Sequence, residues 1–383
     1  MKQEPFKPDY NNSILNLMSS ILKNYGVKNN YSSLKKLDQI LTKKYTNIIL
    51  LVLDGMGENV LKKASPDGIF STHKLSTITS IYPCTTTAAL TTYYTAKPPI
   101  ETGWLAWSQY FKEYGRAVDM LPYIDSYTGE KISRDKFDVY NCLKYKTVYE
   151  QISEASNSQV YEIKPTYCDP KTDKCIHIKS IDSMCTSIET LCKSNEQKYI
   201  FSYFDNPDGI NHKYGWDSKE SKEFILYSEE CIKKLIENLQ GTNTLLIISA
   251  DHGHNNINKN YNILDLDTLK DCFIMPPSFE PRFVSFWIKN DKKKYFVKEF
   301  NKLFLNEFLL FSKEEFMNSN LLGYGQKHPK IDDFIGDYIA IGISNSAINL
   351  GTYISRDVPI KLSNHCGLTK NELEVPLIVF ELK

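Results

Sequence analysis

Arginine is scarce in this 383-residue chain: Arg116, Arg134, Arg282 and Arg356 are the full set, so lysine supplies nearly all of the 46 basic side chains. Arginine is the side chain that grips phosphate or carboxylate in a bidentate fork, so any anionic ligand has to be held mainly by something else. Charge of one sign is also missing. The 46 Lys+Arg balance 46 Asp+Glu, which leaves no global field to draw in nucleic acid or an anionic membrane. The longest aliphatic run covers only residues 48–53, far short of the ~20 residues needed to cross a bilayer. The N-terminal stretch is polar, with Pro5 and Pro8, and lacks an apolar region and a small-residue cleavage site, so the expected location is the cytoplasm. A paired cysteine framework is absent as well. Nine scattered cysteines, an odd number, read as reduced thiols. Cys168, Cys175 and His177 lie close in sequence but have no matching second half, and they read as ordinary loop and core residues.

What the chain does have is alternation. Short aliphatic or aromatic runs at 48–53, 160–163, 199–204, 245–249 and 375–380 are bounded by turn residues, the pattern of strands buried on both faces of a parallel sheet. Between them lie helical patterns, the clearest at 218–240, with Ile225, Ile232, Leu235, Ile236 and Leu239 on one face and Gly241 as a stop signal. This predicts an α/β fold: a doubly wound, mostly parallel sheet sandwiched by helices, with its site beyond the carboxyl ends of the strands. Two stretches interrupt the alternation. Residues 103–141 are rich in Trp, Tyr and charge, and residues 273–354 hold a strand-like 283–288 and a helical 296–311. The expected division is an N-terminal helical segment packing on the core (1–46), the first part of the core (47–272, with a minor insertion at 103–141), an inserted α+β cap (273–354) and a last core segment (355–383) carrying His365.

Three of the predicted strands end on acidic or imidazole side chains: Asp54, then Asp205 and Asp208, then Asp251-His252. A hydrolase attacking a phosphate ester must neutralise the nonbridging oxygens, activate a nucleophile and stabilise the leaving oxygen. Two divalent cations ~3.5–4 Å apart can do all three. Asp54, Asp208, His212, Asp251, His252 and His365 are the ligand types such a pair needs. Mixed Asp/His ligation suits zinc best among common ions, with manganese as the second choice. The four-residue spacing of Asp208 and His212 brings both to one side of a helical turn. A nucleophile is suggested by Tyr82-Pro-Cys-Thr-Thr-Thr-Ala-Ala-Leu90, where hydroxyls open a helical stretch whose amides and dipole would face a nearby oxyanion. A plain helix N-cap is the simpler reading of that segment taken alone.

Asp54-Gly-Met-Gly57, Tyr82-Pro-Cys-Thr-Thr86, Asp208-x-x-x-His212, Ala250-Asp-His-Gly253 and Asn364-His-Cys-Gly367 resemble, in this order, the motifs of the alkaline phosphatase superfamily. The form is most similar to its type I phosphodiesterase/nucleotide pyrophosphatase branch. The resemblance implies one metal held by Asp208, His212 and His365, and a second by Asp54, Thr86, Asp251 and His252. It implies Thr86 as nucleophile, three positions after Pro83, with Thr85 as the nearest rival. A phosphothreonine intermediate on a small-molecule phosphate ester or nucleotide follows, with the Thr87 backbone N–H near the charged oxygens. The branch has a phosphate-contacting asparagine where a gapless count puts Trp107 here. Trp107, with Trp104, Tyr110 and Phe111, then either walls a substrate pocket or packs the cap. His254 and Arg282 are further candidates for substrate contact, His254 alternatively as support for the ligands and Arg282 as a cap ion pair. His73, His177 and His328 have no motif context.

Rival readings follow from the same residues. A phosphomonoesterase or phosphonate hydrolase would share the metal core, but the arginine that alkaline phosphatases place near the nucleophile is missing between Tyr82 and Thr95; Lys97 could substitute. Cys84 lacks the proline and arginine context of a sulfatase nucleophile. A non-catalytic protein retaining the fold would be expected to have lost members of the ligand set, and all seven are present. No basic arm suggests nucleic-acid binding beyond the short run Lys292–Lys294.

Overall fold

The computed structural model describes residues 4–350 and 360–383. The expected cap boundary at 354/355 and Arg356 lie outside the described residues.

Strand Asn47–Leu53 sits in the middle of a seven-stranded sheet, and every one of its residues is buried. Its six aliphatic side chains, Ile48 to Leu53, at about 1.5–3 kcal/mol each, anchor the sheet. Lys198–Phe204 and Thr244–Ser249 flank it in parallel on either side. From there the sheet grows outward both ways, through Gln159–Pro165 and Cys175–Ile178 on one side, and Glu374–Leu382 and Lys74–Thr79 on the other. Glu374–Leu382 alone runs against its neighbours. The expected doubly wound, mostly parallel sheet is therefore present. Helices form two groups about it: Ile14–Asn24, Thr86–Thr95 and Val148–Ala155 pack together, and Lys219–Asn238 packs on Glu58–Ala64 and Ile181–Cys192. In Lys219–Asn238 the buried Ile225, Ile232 and Leu235 make the apolar face, and Ser218 caps the start by accepting from the Ser221 N–H at 3.1 Å.

The two interrupting stretches meet in space. Ser108–Phe111, Arg116–Asp119 and Ile124–Asp125 from the first join Ser278–Glu280, Phe283–Phe286, Phe308–Ser312 and Tyr338–Gly342 from the second in one antiparallel sheet. The link is the Ser278–Glu280 strand, where Phe279 pairs with Ser108. The helical reading of 296–311 overran. Helix Lys293–Phe304 stops at Phe304, the chain turns through Asn306 at φ +64°, and Phe308–Ser312 is a strand. Among the described residues no helix is long and apolar enough to cross a membrane.

Parallel packing brings the carboxyl ends of the three central strands to one edge, and two glycines let the loops there touch. A Cβ on Gly57 would lie 2.4 Å from the Gly253 Cα, and one on Gly253 would lie 2.0 Å from the Asn371 carbonyl oxygen. Backbone cannot yield to that overlap without moving the Asp251-His252 loop. Gly253→Ala is therefore expected to destabilise the protein by about 1–3 kcal/mol, read as a lower midpoint in urea denaturation. An unchanged midpoint would contradict this account of the loop packing.

Candidate active site

Asp54 follows the central strand and is buried, with its Oδ2 accepting from the Tyr203 hydroxyl. Asp251 and His252 follow the neighbouring strand, also fully buried. Asp251 Oδ1 accepts from the N–H groups of Gly55 at 3.0 Å and His252 at 2.9 Å. The other oxygens, Asp54 Oδ1 and Asp251 Oδ2, are buried without a hydrogen-bond partner. Both face His252 Nε2, at 3.4 Å and 3.5 Å. The Thr86 hydroxyl, at the first turn of helix Thr86–Thr95, lies 3.4 Å from Asp54 Oδ2 and 3.3 Å from His252 Nε2. A tetrahedral cation site with ligand bonds of about 2.0–2.2 Å has ligand-to-ligand edges of about 3.3–3.6 Å. All four separations fall in that range, so the donors fit a zinc-sized ion.

A second donor group adjoins the first. Asp208 opens the short helix Asp208–Tyr214, and His212 Nε2 lies one turn on, 3.3 Å from Asp208 Oδ1. His365 Nε2 stands 3.8 Å from the same oxygen, and the His365 ring stacks on His252 with centroids 3.9 Å apart. Metal-compatible sets are Asp54 with Asp251 and His252, Asp208 with His252 and His365, and Asp208 with His212 and His254, each with ligand atoms within 4.8 Å of one another.

Second hydrogen bonds set the tautomers. His212 Nδ1 lies 2.7 Å from the Ser363 carbonyl and His252 Nδ1 3.1 Å from that of Gly253. A carbonyl only accepts, so each Nδ1 carries the proton and each Nε2 keeps its lone pair, which at His212 accepts from the Lys361 ammonium at 2.9 Å. Burial holds His212 and His365 well below the ordinary imidazole range, with the Lys361 ammonium adding to the shift at His212 and the neighbouring histidines at both. They stay neutral, which is the ligating form. Burial, then the charges of Asp251 and Asp208, push Asp54 well above the ordinary carboxylate range. That is the signature of carboxylates gathered without a countercharge.

The remaining candidates separate clearly. His254 is fully buried, with Nε2 2.8 Å from Asp208 Oδ1 and Nδ1 3.2 Å from the Ser363 hydroxyl, so its ring braces Asp208. Neither Thr85, whose hydroxyl faces Glu280, nor Thr87 shows the contacts of Thr86 to Asp54 and His252. The first N–H groups of the helix, those of Thr86 and Thr87 among them, have no intrahelical acceptor. Trp107 is 39% exposed, and its backbone N–H donates to Glu280 at 2.8 Å. Trp104 is buried against Tyr140 and Tyr145, and Phe111 against Phe137 and Phe334, so these two pack the second sheet. Tyr110 stacks beside Trp287. Among the described residues Cys168, Cys175 and His177 form no donor group; His177 instead meets the Pro165 carbonyl.

Arg282 needs correcting as a substrate contact. It is fully buried, its Nε and Nη2 hold Glu372 at 2.6 Å and 2.8 Å, and Nη1 donates to the carbonyls of Ser344 and Ser346. Glu372 also accepts from the Gly367 N–H and the Thr369 hydroxyl. The pair thus ties the second sheet to the loop that carries His365. Sequence reasoning also missed Tyr203, which reads as one more apolar strand residue, and Glu280, whose Oε2 lies 3.6 Å from His365 Nδ1. Neither has a local motif.

A buried group of carboxylates, imidazoles and one hydroxyl, at the carboxyl edge of a doubly wound sheet, defines a hydrolytic enzyme of phosphate-ester chemistry. The sequence model of the type I phosphodiesterase / nucleotide pyrophosphatase family matches residues 48–275, and the chain belongs to that family. No curated protein matches it in sequence. Solved structures share its fold. An inactive variant of murine ectonucleotide pyrophosphatase / phosphodiesterase 5 in complex with AMP superposes with a TM-score of 0.65 at 15% identity, over 86% of this chain and 87% of that one. The human protein of the same name gives 0.65 at 15% identity, over 87% of each chain. Phosphonoacetate hydrolase from Sinorhizobium meliloti 1021, in complex with phosphonoformate, gives 0.61 at 16% identity, over 86% and 89%.

Removing one side of a buried, fully bonded ion pair leaves the other charge stranded. Arg282→Met is expected to cost about 3–5 kcal/mol in chemical denaturation, and Arg282→Met combined with Glu372→Leu to recover part of that loss. A single variant that loses less than about 1 kcal/mol would contradict the structural role of the pair.

Proposed function

We propose that this protein hydrolyses phosphodiester or phosphoanhydride bonds of small molecules, nucleotides included, through a covalent phosphothreonine on Thr86. Asp54, Thr86, Asp251 and His252 would hold one divalent cation and Asp208, His212 and His365 a second, zinc first and manganese as the alternative. The observation that carries the reading is the position of the Thr86 hydroxyl: alone among the three adjacent threonines it has Asp54 and His252 at 3.4 Å and 3.3 Å.

When bound, the cations supply charge neutralisation at the phosphoryl oxygens and lower the pKa of an oxygen nucleophile. The chain's own residues do the rest. Thr86 passes its hydroxyl hydrogen to Asp54 Oδ2, the freed oxygen forms the bond to phosphorus as the ester oxygen departs on the opposite side, and the proton passes from Asp54 through solvent to that departing oxygen. Water then cleaves the phosphothreonine, returning a proton to Thr86. The helix N-terminus directs the Thr87 N–H at the charged oxygens. His254 keeps Asp208 oriented, and burial keeps His212 and His365 neutral. With a tryptophan at the place of the family's asparagine, no side-chain amide contributes at position 107.

Thr86→Ala is expected to lower kcat on bis(p-nitrophenyl) phosphate by about 10⁴-fold or more while metal content, measured by plasma mass spectrometry, stays at the wild-type value. Undiminished turnover in that variant would refute the assignment of the nucleophile. Faster release from p-nitrophenyl phosphate than from the bis-ester, in the wild type, would overturn the choice of diesters over monoesters.

A further inference from the structure

A narrow pocket of about 30 Å³ is lined by Thr87 and walled by Tyr94, Trp104, Tyr145 and Tyr167. It adjoins an outer cleft of about 680 Å³, and Lys171 lines both. The other cations there are neutralised. Lys164 lies 2.7 Å from Glu162 in the core, and Arg134 is held by Asp169, with Asp138 at 3.7 Å. The Lys171 ammonium has no carboxylate at ion-pair distance among the described residues. It donates to the Tyr140 hydroxyl and lies 4.1 Å from the centroid of that ring. Its backbone N–H, by contrast, is fixed on Glu162 at 2.8 Å, which holds the residue in place.

Displacement at phosphorus proceeds in line, with the departing oxygen opposite the attacking one. A pocket that opens at the residue after the nucleophile lies on the attacking side. It therefore receives a substituent that stays on phosphorus. The outer cleft has the room for the body of such a group, with Tyr140 and Tyr145 in its wall, and an ammonium outside any direct ion pair among the described residues suits an anion at its far end.

Resting on the phosphodiesterase reading of Thr86, we propose that Lys171 is a specificity-determining residue that binds an anionic oxygen group, phosphate or carboxylate, carried by the substituent retained on the scissile phosphorus. Burial, with the charge of Lys164 adding to it, lowers the Lys171 ammonium to about 8. It remains mostly charged at neutral pH, and an anionic ligand would offset its desolvation.

The test compares the p-nitrophenyl ester of thymidine 5′-phosphate with the same ester carrying a 3′-phosphate or a 3′-O-carboxymethyl group, so that the two anion types are read separately. At least one anionic ester is expected to show a kcat/KM higher by about tenfold or more, through a lower KM. Lys171→Met should collapse that ratio to about 1, and Lys171→Arg should keep most of it. No preference in the wild type, or a preference that survives Lys171→Met, overturns the proposal. A second arm needs no turnover: calorimetric binding of adenosine 3′,5′-bisphosphate and of AMP to the Thr86→Ala protein, with and without Lys171→Met. Tighter binding of the bisphosphate that is lost with Lys171 supports the assignment; equal binding overturns it. If no ester is turned over, the phosphodiesterase reading fails, and the binding arm still decides the role of Lys171.

Discussion

Three carboxylates, Asp54, Asp208 and Asp251, are gathered at the carboxyl edge of one sheet, and among the described residues no lysine or arginine pairs with any of them. Like charges held together away from water are costly unless a cation joins them. The rest of the site is arranged around that constraint. Parallel pairing of the three central strands delivers the carboxylates in register, paired glycines let their loops touch, and carbonyls fix the imidazole tautomers so that lone pairs face inward. Thr86 completes the first donor set because helix Thr86–Thr95 starts at the same edge.

The scarcity of arginine acquires a meaning in this setting. Arg282, the arginine nearest to the chemistry in the sequence pattern, is fully engaged with Glu372 and braces the loop that bears His365. Under the proposed function, recognition of the reacting phosphoryl group falls to cations held by Asp and His, with the first amides of a helix beside them. Among the described residues the Lys361 ammonium reaches His212 Nε2 at 2.9 Å at the edge of the donor group, and Lys171 lines the aromatic pocket further out. Under the two proposals, chemistry and selectivity are carried by different parts of the chain, the first by strand ends and the second by the loops that follow residue 120.

Much of this was legible in the sequence because it is local. Buried parallel strands are continuous apolar runs, so periodicity finds them, and each candidate metal ligand follows such a run or sits in a short motif whose resemblance to the family implies its grouping with the others. The second sheet was not legible as one unit. Phe279 pairs with Ser108 across about 170 residues, and short antiparallel strands in aromatic-rich stretches carry no distinguishing period. The phenylalanines from Phe296 to Phe311 look like one helical face until Asn306 turns the chain. Arg282 invited a ligand role because its partner, Glu372, is 90 positions away. Tyr203 and Lys171 were silent for the same reason: their significance comes from what the fold places beside them.

The central claim is that the gathered donors form two adjacent cation sites. Anomalous diffraction at the zinc edge, on crystals of the protein grown with zinc, tests it most directly. The account predicts two peaks per chain, one enclosed by Asp54, Thr86, Asp251 and His252 and the other by Asp208, His212 and His365. A single peak, no peak in this cluster, or zinc bound instead between Cys168, Cys175 and His177 would contradict it.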